Sequence, residues 1–353
     1  MSTLSVCLIV KNNHETLDKC LSSINKIADE LIIVDTGSTD DTKEIAKKYN
    51  AKIFDFVWTN DFSEARNYSF EKATCDYIMW LDSDDYITEY FQNKIIELKN
   101  DLNKYDTVNM LYNYAFDIDG NVTLQLGRER IIKRSLNCKW IGYIHEYIDA
   151  SKAVIHHNTN IEINHGRVHN ESDRNLNIYK YHISQGKELN ARDTYYFGKE
   201  LYYHNIYDEA LTWLEKTLNM NSWYEDKIGA CIAMGDIYLA LNQNENCRNI
   251  CYKSFEYYEP RAEILYNIAL SFQNENKLSN AVYWYKLAAN CKIPNTMGTI
   301  RKEYYDFKPY LQLCVLYYKL GDIEKSKHYN KLAGEISPNH PSIIYNNKFF
   351  GGL

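Results

Sequence analysis

The chain of 353 residues is short of positive charge, with 40 lysines and arginines against 47 aspartates and glutamates and a net charge of −7. A general nucleic-acid binder carries a basic face, so that class is set aside. No run of apolar residues approaches the roughly 20 needed to cross a bilayer. The strand-like Leu4–Val10 is too short for a span, and no charged segment leads into an apolar signal region, so neither an anchor nor a secretion signal is expected. A basic amphipathic helix is missing too, which argues against attachment to an envelope glycolipid. The nine cysteines are odd in number and scattered, without a CxxC pair. Cys247 and Cys251 lie one helical turn apart, but no His or Cys pair nearby completes a zinc set. They read as reduced core thiols of a cytoplasmic protein. The first strand–helix turn has no Gly-rich signature with a basic residue, which argues against a nucleotidyltransferase.

What is present is organised in two halves, and the length suits two domains. The first half alternates short apolar strands with helices: Leu4–Val10, a helix with Leu17, Cys20, Leu21, Ile24 and Ile27 on one face, Leu31–Val34, Ile53–Phe56, a helix from about Ser63 to Thr74, and Tyr77–Leu81. A helix capped by Ser38 or Thr39 follows Leu31–Val34. This rhythm predicts a mostly parallel sheet with right-handed crossovers. After Asp85 the order changes. Val108–Tyr112 and a turn at Asp117-Ile118-Asp119-Gly120-Asn121-Val122 read as antiparallel, and Ile161–Asn164 as a further strand. Acidic clusters follow two of the parallel strands, Asp35-Thr36-Gly37-Ser38-Thr39-Asp40 and Asp82-Ser83-Asp84-Asp85. Ligands of open α/β sheets sit beyond the carboxyl ends of the strands, and carboxylates there suit a hard divalent cation and a nucleotide diphosphate.

From about residue 193 the chain is helical and repetitive. Gly198/Ala210/Leu214/Thr217 recurs as Gly235/Cys247/Cys251/Ser254, as Ala269/Ala281/Tyr285/Ala288 and as Cys314/Ser326/Asn330/Ala333, in steps of 37, 34 and 45 residues. Small residues fill the first, second and fourth slots, as close packing of paired helices requires. The long last step places an insertion near Lys292–Glu303. This resembles the tetratricopeptide repeat. The competing reading is a generic α-helical domain. Most of the 32 tyrosines fall in this half. Tyr238, Tyr266, Tyr285 and Tyr317 are expected in the core. In the adjacent pairs Tyr195-Tyr196, Tyr202-Tyr203, Tyr257-Tyr258 and Tyr304-Tyr305, one ring of each is expected outside.

Four ordered segments, Ser5-Val6-Cys7-Leu8-Ile9-Val10-Lys11-Asn12, Val34 to Asp40, Asn60-Asp61-Phe62-Ser63-Glu64-Ala65-Arg66-Asn67 and Trp80-Leu81-Asp82-Ser83-Asp84-Asp85, closely resemble those of family 2 glycosyltransferases of the GT-A fold. With the helical tail, the architecture is similar to the sublancin-type peptide S-glycosyltransferase branch. The resemblance implies an α/β, Rossmann-like nucleotide-diphospho-sugar domain followed by an all-α solenoid. The boundaries read as 1–170 for the catalytic domain, 171–192 for a linker helix or loop and 193–353 for the repeats.

It also implies roles. Asp35 would accept from a uracil imide, in competition with a plain helix cap; Asp40 is the better cap. Thr36, Gly37 and Ser38 would form the turn beneath the nucleotide, with Lys11 and Ser83 beside it, and Arg66 would meet the nucleotide or its pyrophosphate. Arg66 as a surface residue paired with a nearby Glu is the alternative. Asp84 is expected to ligate Mn²⁺ or Mg²⁺ directly, with Asp82 on the ribose or a metal-bound water, and Asp85 as a helix cap. Lys139-Trp140-Ile141-Gly142-Tyr143-Ile144-His145-Glu146 resembles the Trp-x-Gly-x-x-His-Glu segment of many relatives. It offers Glu146 as catalytic base, with His145 as alternative or orienting group. The competing reading pairs Glu146 with Arg128, Arg130 or Arg134. A third metal ligand is expected from His165, with His169 as second choice.

The expected reaction is metal-dependent, inverting transfer of a hexose or N-acetylhexosamine from a UDP-sugar to a protein or peptide side chain. An envelope glycan acceptor and a nucleotide-binding scaffold are the alternatives. A polypeptide acceptor is expected on the repeats, with self-association into a homodimer as the runner-up.

Overall fold

A computed structural model describes residues 1–166 and 173–351. Its contacts form two compact units, Met1–Asn113 with Gly127–Glu188, and Tyr114–Leu126 with the chain from Leu189 onward. No helix among the described residues is long and apolar enough to cross a membrane.

The first unit begins β1 (Leu4–Val10), α1 (Leu17–Ile24), β2 (Glu30–Asp35), α2 (Thr42–Lys48), β3 (Lys52–Asp55), α3 (Phe62–Lys72), β4 (Tyr77–Trp80). β1, β2 and β4 are buried at every residue, as strands covered on both faces must be. β1 pairs in parallel with β2 on one side and β4 on the other, and β3 extends the sheet beyond β2. The helix after β2 starts later than expected. Its N-cap position is Asp41, not Ser38 or Thr39, because the Ser38 hydroxyl and the Thr39 amide are bound to Asn12.

A buried carboxylate fastens this sheet. Glu30 accepts from the Ser5 hydroxyl, from Lys52 Nζ at 2.6 Å, and from the Thr74 amide and hydroxyl at 2.9 Å each. Burial opposes its charge, but these donors win and hold the carboxyl at about 2.

The chain continues through β5 (Asp85–Tyr86), α4 (Glu89–Leu98), β6 (Thr107–Phe116), β7 (Val122–Lys133), β8 (Lys139–Ile141), β9 (Tyr147–Asp149), β10 (His156–His165) and α5 (Arg174–Ser184). The strand order runs β3-β2-β1-β4-β7-β6-β10-β5, with β7 antiparallel to β4 and β5 antiparallel to β10. The change of direction expected after Asp85 is therefore present, although β6, which holds Val108–Tyr112, pairs in parallel with β10. Asp85 itself is no helix cap: it lies in β5, and Thr88 holds the N-cap position of α4.

The second unit stacks helices in pairs: α6 (Ala191–Tyr203) with α7 (Tyr207–Asn219), α8 (Tyr224–Ala240) with α9 (Asn244–Lys253), α10 (Ala262–Asn274) with α11 (Leu278–Ala289), and, after β11 (Ile300–Arg301), α12 (Phe307–Lys319) with α13 (Ile323–Ile336) before α14 (Pro341–Gly351). All sixteen residues of the repeated pattern are buried. Asn205, Asn242, Asn276 and Gly321, each seven residues after the first slot, take φ of 59°, 57°, 57° and 81°. The next amide in each case reaches back over the turn: Ile206 to Leu201 O, Gln243 to Tyr238 O, Lys277 to Phe272 O and Asp322 to Tyr317 O, at 2.7–2.9 Å. Every pair thus turns on the same left-handed C-cap.

The insertion lies where the long step placed it. Its strand β11 pairs with the start of β7, Ile300 opposite Gln125 and Arg301 opposite Leu124. Arg301 also binds Asp236 at 3.1 Å through its guanidinium and Glu263 at 2.9 Å through its amide. At the hairpin tip, Asp119 accepts from the Ser337 hydroxyl at 2.6 Å and from the Asn339 side-chain amide at 2.5 Å. These bonds explain why residues 114–126, expected with the catalytic domain, cluster with the helices. Conversely α5, expected as a linker, belongs to the first unit. Its Tyr179 hydroxyl donates to Ile144 O at 3.3 Å, and His182 Nε2 donates to Asn60 O at 2.9 Å.

Among the tyrosines, Tyr285 and Tyr317 are buried, and Tyr238 and Tyr266 are half-buried. Tyr203 and Tyr258 stand out from their pairs, as expected of one ring in each. Tyr195 and Tyr196 are both buried, because their rings pack tilted together with Lys199 above them. Of the fourth pair, Tyr305 is buried and Tyr304 half-buried against Tyr266, so neither is exposed.

Candidate active site

Asp35 ends β2 in register with Val10 of β1 and is 1% exposed. Its Oδ1 accepts the amides of Gly37 and Ser38, both at 2.9 Å, which closes the turn through Gly37 at φ +106°. Lys43 Nζ lies 3.7 Å from the same oxygen. Oδ2 is buried with no hydrogen-bond partner among the described residues. A buried acceptor left dry and unpaired is costly, so this oxygen is suited to an incoming N–H donor. Thr36 donates its amide and hydroxyl to Val10 O at 2.9 and 3.1 Å. Lys11 is exposed, its amide bound to Asn13 Oδ1. Asn12, Asn13 and His14 stitch this first loop to Ser38, Thr39, Asp40 and Thr42 of the second. Asp40, held far below the usual carboxylate range once the bonds from Thr42 and His14 outweigh burial, receives the Thr42 amide at 3.0 Å.

The second acidic cluster follows β4. Arg66 of α3 reaches it: Nη2 donates to Asp82 Oδ1 at 2.6 Å, while Nε donates to Glu146. The guanidinium lies 4.9 Å from the Trp80 ring and 4.8 Å from the Trp140 ring. Burial disfavours the charge of Asp82, but Arg66, and after it Arg130, hold the carboxyl at about 2. Ser83 is buried in the turn.

Asp84 behaves oppositely. Burial, with repulsion from Asp82 and Asp85 against the pull of His165, pushes its carboxyl up to about 6. Strand register places His165 opposite Asp85, and its Nδ1 lies 3.4 Å from Asp84 Oδ1. Gly166 donates its amide to Asp84 O at 2.7 Å, and a Cβ on Gly166 would meet that carbonyl at 2.7 Å, so only glycine allows the approach. Asp84, Asp85 and His165 offer ligand atoms within 4.8 Å of one another.

The motif on α3 also builds the loop that carries Glu146. Asp61 caps α3, Asn67 exchanges hydrogen bonds with the Trp140 backbone at 2.8 and 3.0 Å, and the Phe62 amide donates to Tyr143 O at 2.9 Å. Tyr143 stacks on His182 with centroids 3.6 Å apart. In this loop His145 takes φ +54°, in the left-handed region. Glu146 is buried and pairs with Arg66, whereas Arg130 is bound to Asp85 and Arg134 to Cys75 O.

Residues 5–157 match the model of Glycosyl transferase family 2. This part of the chain is similar to family 2 glycosyltransferases. The chain is 26% identical over 254 residues to the SPbeta prophage-derived glycosyltransferase SunS of Bacillus subtilis strain 168, covering 68% of this chain and 60% of SunS. It is 45% identical over 85 residues to a TPR repeat-containing protein of Synechococcus elongatus, covering 24% of this chain and 21% of that protein. The chain therefore spans about a fifth to three fifths of the length of these curated relatives. A solved structure, S. aureus TarS in complex with UDP-GlcNAc, aligns with 96% of this chain and 93% of its own at 12% identity and a TM-score of 0.38.

In the matched region and the strand that follows it, the expected ligands divide. Asp84 and His165 come together; Asp82 is engaged by Arg66 and lies outside the three-residue group. His169 lies outside the described residues. Carboxylate oxygen with imidazole is a donor set that fits Mn²⁺ or Mg²⁺, and the unpaired Asp35 oxygen fits a base N–H. Sequence reasoning missed Lys43, Asn67, Tyr112 and His182, and offered Arg130 only as a partner of Glu146, whereas it binds Asp85. Asn67 stands inside a quoted motif and was legible, and Lys43 lies in the helix that directly follows Asp35; Tyr112, Arg130 and His182 lie far along the chain from the groups they serve.

Proposed function

We propose that the protein is a metal-dependent, inverting glycosyltransferase of the cytoplasm that moves a hexose or N-acetylhexosamine from a UDP-sugar to a Ser, Thr or Cys side chain of a polypeptide. The observation that carries this reading is the Asp84–His165 pair beyond the carboxyl end of β4. Asp35 Oδ2 accepts the uracil imide, and Thr36, Gly37 and Ser38 form the floor of that pocket beside Lys11. Asp82 accepts from the ribose, and Ser83 keeps the turn closed. Asp84 and His165 hold the cation, which when bound neutralises charge on the departing diphosphate. Arg66, already between two carboxylates, orients Glu146 through one oxygen, so the other receives the acceptor proton. His145, in its left-handed conformation, shapes the approach to that oxygen. Inversion follows from a single displacement with base and leaving group on opposite faces.

The acceptor polypeptide binds the helical unit. Support comes from the stacked pairs and from exposed rings such as Tyr203, Tyr258, Tyr283 and Tyr318. Nine free cysteines and no disulfide among the described residues agree with a reducing compartment.

The test is UDP release from a panel of UDP-sugars with Mn²⁺, read with intact mass spectrometry of a mixed peptide pool. Release with one sugar and a matching mass shift on peptide is the expected result. Release without peptide modification moves the acceptor to a glycan. Nucleotide binding without release from any donor overturns the enzyme in favour of a scaffold.

A further inference from the structure

One cation beside the unpaired oxygen of Asp35 has no part in the proposed transfer. Lys43 stands in the first turn of α2, after the turn that Asp35 closes. Register between β2 and β3 sets Asp35 and Asp55 side by side at their strand ends. The lysine reaches across both: Nζ donates to Asp55 Oδ1 and lies 3.7 Å from Asp35 Oδ1. That second distance is too long for a direct hydrogen bond. Asp35 Oδ1 does not lack donors in any case, since it holds the Gly37 and Ser38 amides.

An ammonium has three N–H groups, and Asp55 is the one hydrogen-bond acceptor that Lys43 meets among the described residues. Two N–H groups are left to give, next to a buried carboxyl oxygen that receives nothing. The Lys43 side chain is half-buried and that of Asp35 fully buried, so the pair offers an acceptor at depth and a donor nearer solvent. An N–H flanked by a carbonyl matches this pair. Uracil presents that pattern on both sides, because N3–H lies between O2 and O4. Giving N3–H to Asp35 brings a carbonyl up on either side of the contact. Oxygen facing oxygen is unfavourable unless a donor stands between, and buried acceptors are as a rule paired. Lys43 is the side chain beside Asp35 with such a donor to spare.

We propose that Lys43 reads the base of the donor nucleotide, its ammonium donating to one of the two carbonyls that flank the N3–H held by Asp35. The inference rests on the uracil reading above and deepens it by naming the residue that recognises a carbonyl of the base. It calls on neither the cation site nor the transferred sugar.

The experiment titrates UDP, N3-methyl-UDP, 2-thio-UDP and 4-thio-UDP into the full-length protein by calorimetry at one Mn²⁺ concentration. Wild-type protein should bind N3-methyl-UDP about 10–100-fold more weakly than UDP, for want of the N–H. It should bind one of the two thio analogues about 10-fold more weakly, because sulfur accepts a hydrogen bond poorly. Lys43→Met should lose about 10-fold in UDP affinity and show no penalty for that same sulfur replacement. A lysine that only steadied the fold would leave the sulfur penalty in place, so a penalty that persists in Lys43→Met overturns the proposal. An unchanged UDP affinity in that variant overturns it as well, and so does a wild-type protein indifferent to both sulfur replacements. The uracil reading of Asp35 survives any of these results so long as N3-methyl-UDP binds weakly. Wild-type protein that binds N3-methyl-UDP as tightly as UDP overturns that reading, and this inference with it.

Discussion

The two units of this chain solve the placing of polar groups in opposite ways. The first gathers them: Arg66 between Asp82 and Glu146, Arg130 on Asp85, and four donors on Glu30. Each such charge is unique, and removing its partner leaves a buried group uncompensated. The second unit disperses its order over four copies of one device, with small residues between paired helices and a left-handed turn after each first helix. Loss of one element there removes a fraction of a sum. The first architecture concentrates charge, and the second tolerates an insertion of about eleven residues between its third and fourth pairs.

That contrast can be broken or sharpened by substitution. Glu146→Gln in the first unit should lower transfer by about 10²–10⁴-fold while UDP-sugar binding changes little, as steady-state kinetics beside calorimetry will show. An unchanged rate removes the base assignment. Asp84→Asn should lower Mn²⁺-dependent turnover by about 100-fold or more. It should also make the cation-free protein more stable, by about 1–2 kcal/mol at pH 8. The sign follows from the raised carboxyl: protonation of Asp84 supports folding below about pH 4, and this support is lost as pH rises through about 6. Thermal melts between pH 5 and 8 without metal measure it, and a destabilised variant at pH 8 contradicts the argument.

Glu30→Gln tests concentration of charge away from the site. The depressed carboxyl contributes stability above its ordinary value near 4.5, lost as pH falls toward 2. The substitution should cost about 2–3 kcal/mol at pH 7 and flatten the acid limb of denaturant unfolding between pH 5 and 3. The smallest effect belongs to the helical unit. Asn242→Ala forces a Cβ-bearing residue without local polar bonding into the left-handed turn, at about 1 kcal/mol, with transfer chemistry unchanged. A loss as large as that of Glu30→Gln would mean the repeats are as singular as the sheet.

Legibility followed the same division. Strands such as β1 and β4 were plain in the sequence because unbroken apolar runs encode complete burial. The repeats were plain because small residues recur in phase. The Asn205, Asn242 and Asn276 turns recur in that phase as well and were a signal left unused. Asp35, Asp84 and His165 could be named from motif and strand context. Hidden from the sequence were relations between distant segments: that Glu146 faces Arg66 rather than Arg130, that Asp85 is anchored by Tyr112, and that residues 114–126 fold with the helices. Register across a sheet decides such pairings, and local periodicity carries no record of it.

The hairpin tip has a practical corollary for dissecting the protein. Cutting the chain before α6 to obtain the sheet alone would strip β11 from Leu124 and Gln125 and take Ser337 and Asn339 from Asp119. The stump would then present a bare strand edge, with Tyr114, Phe116 and Ile118 already at the surface beside it. Such a fragment invites edge-to-edge aggregation. An excision that also replaces residues 114–126 with a tight two-residue turn removes the sticky end together with its missing partner.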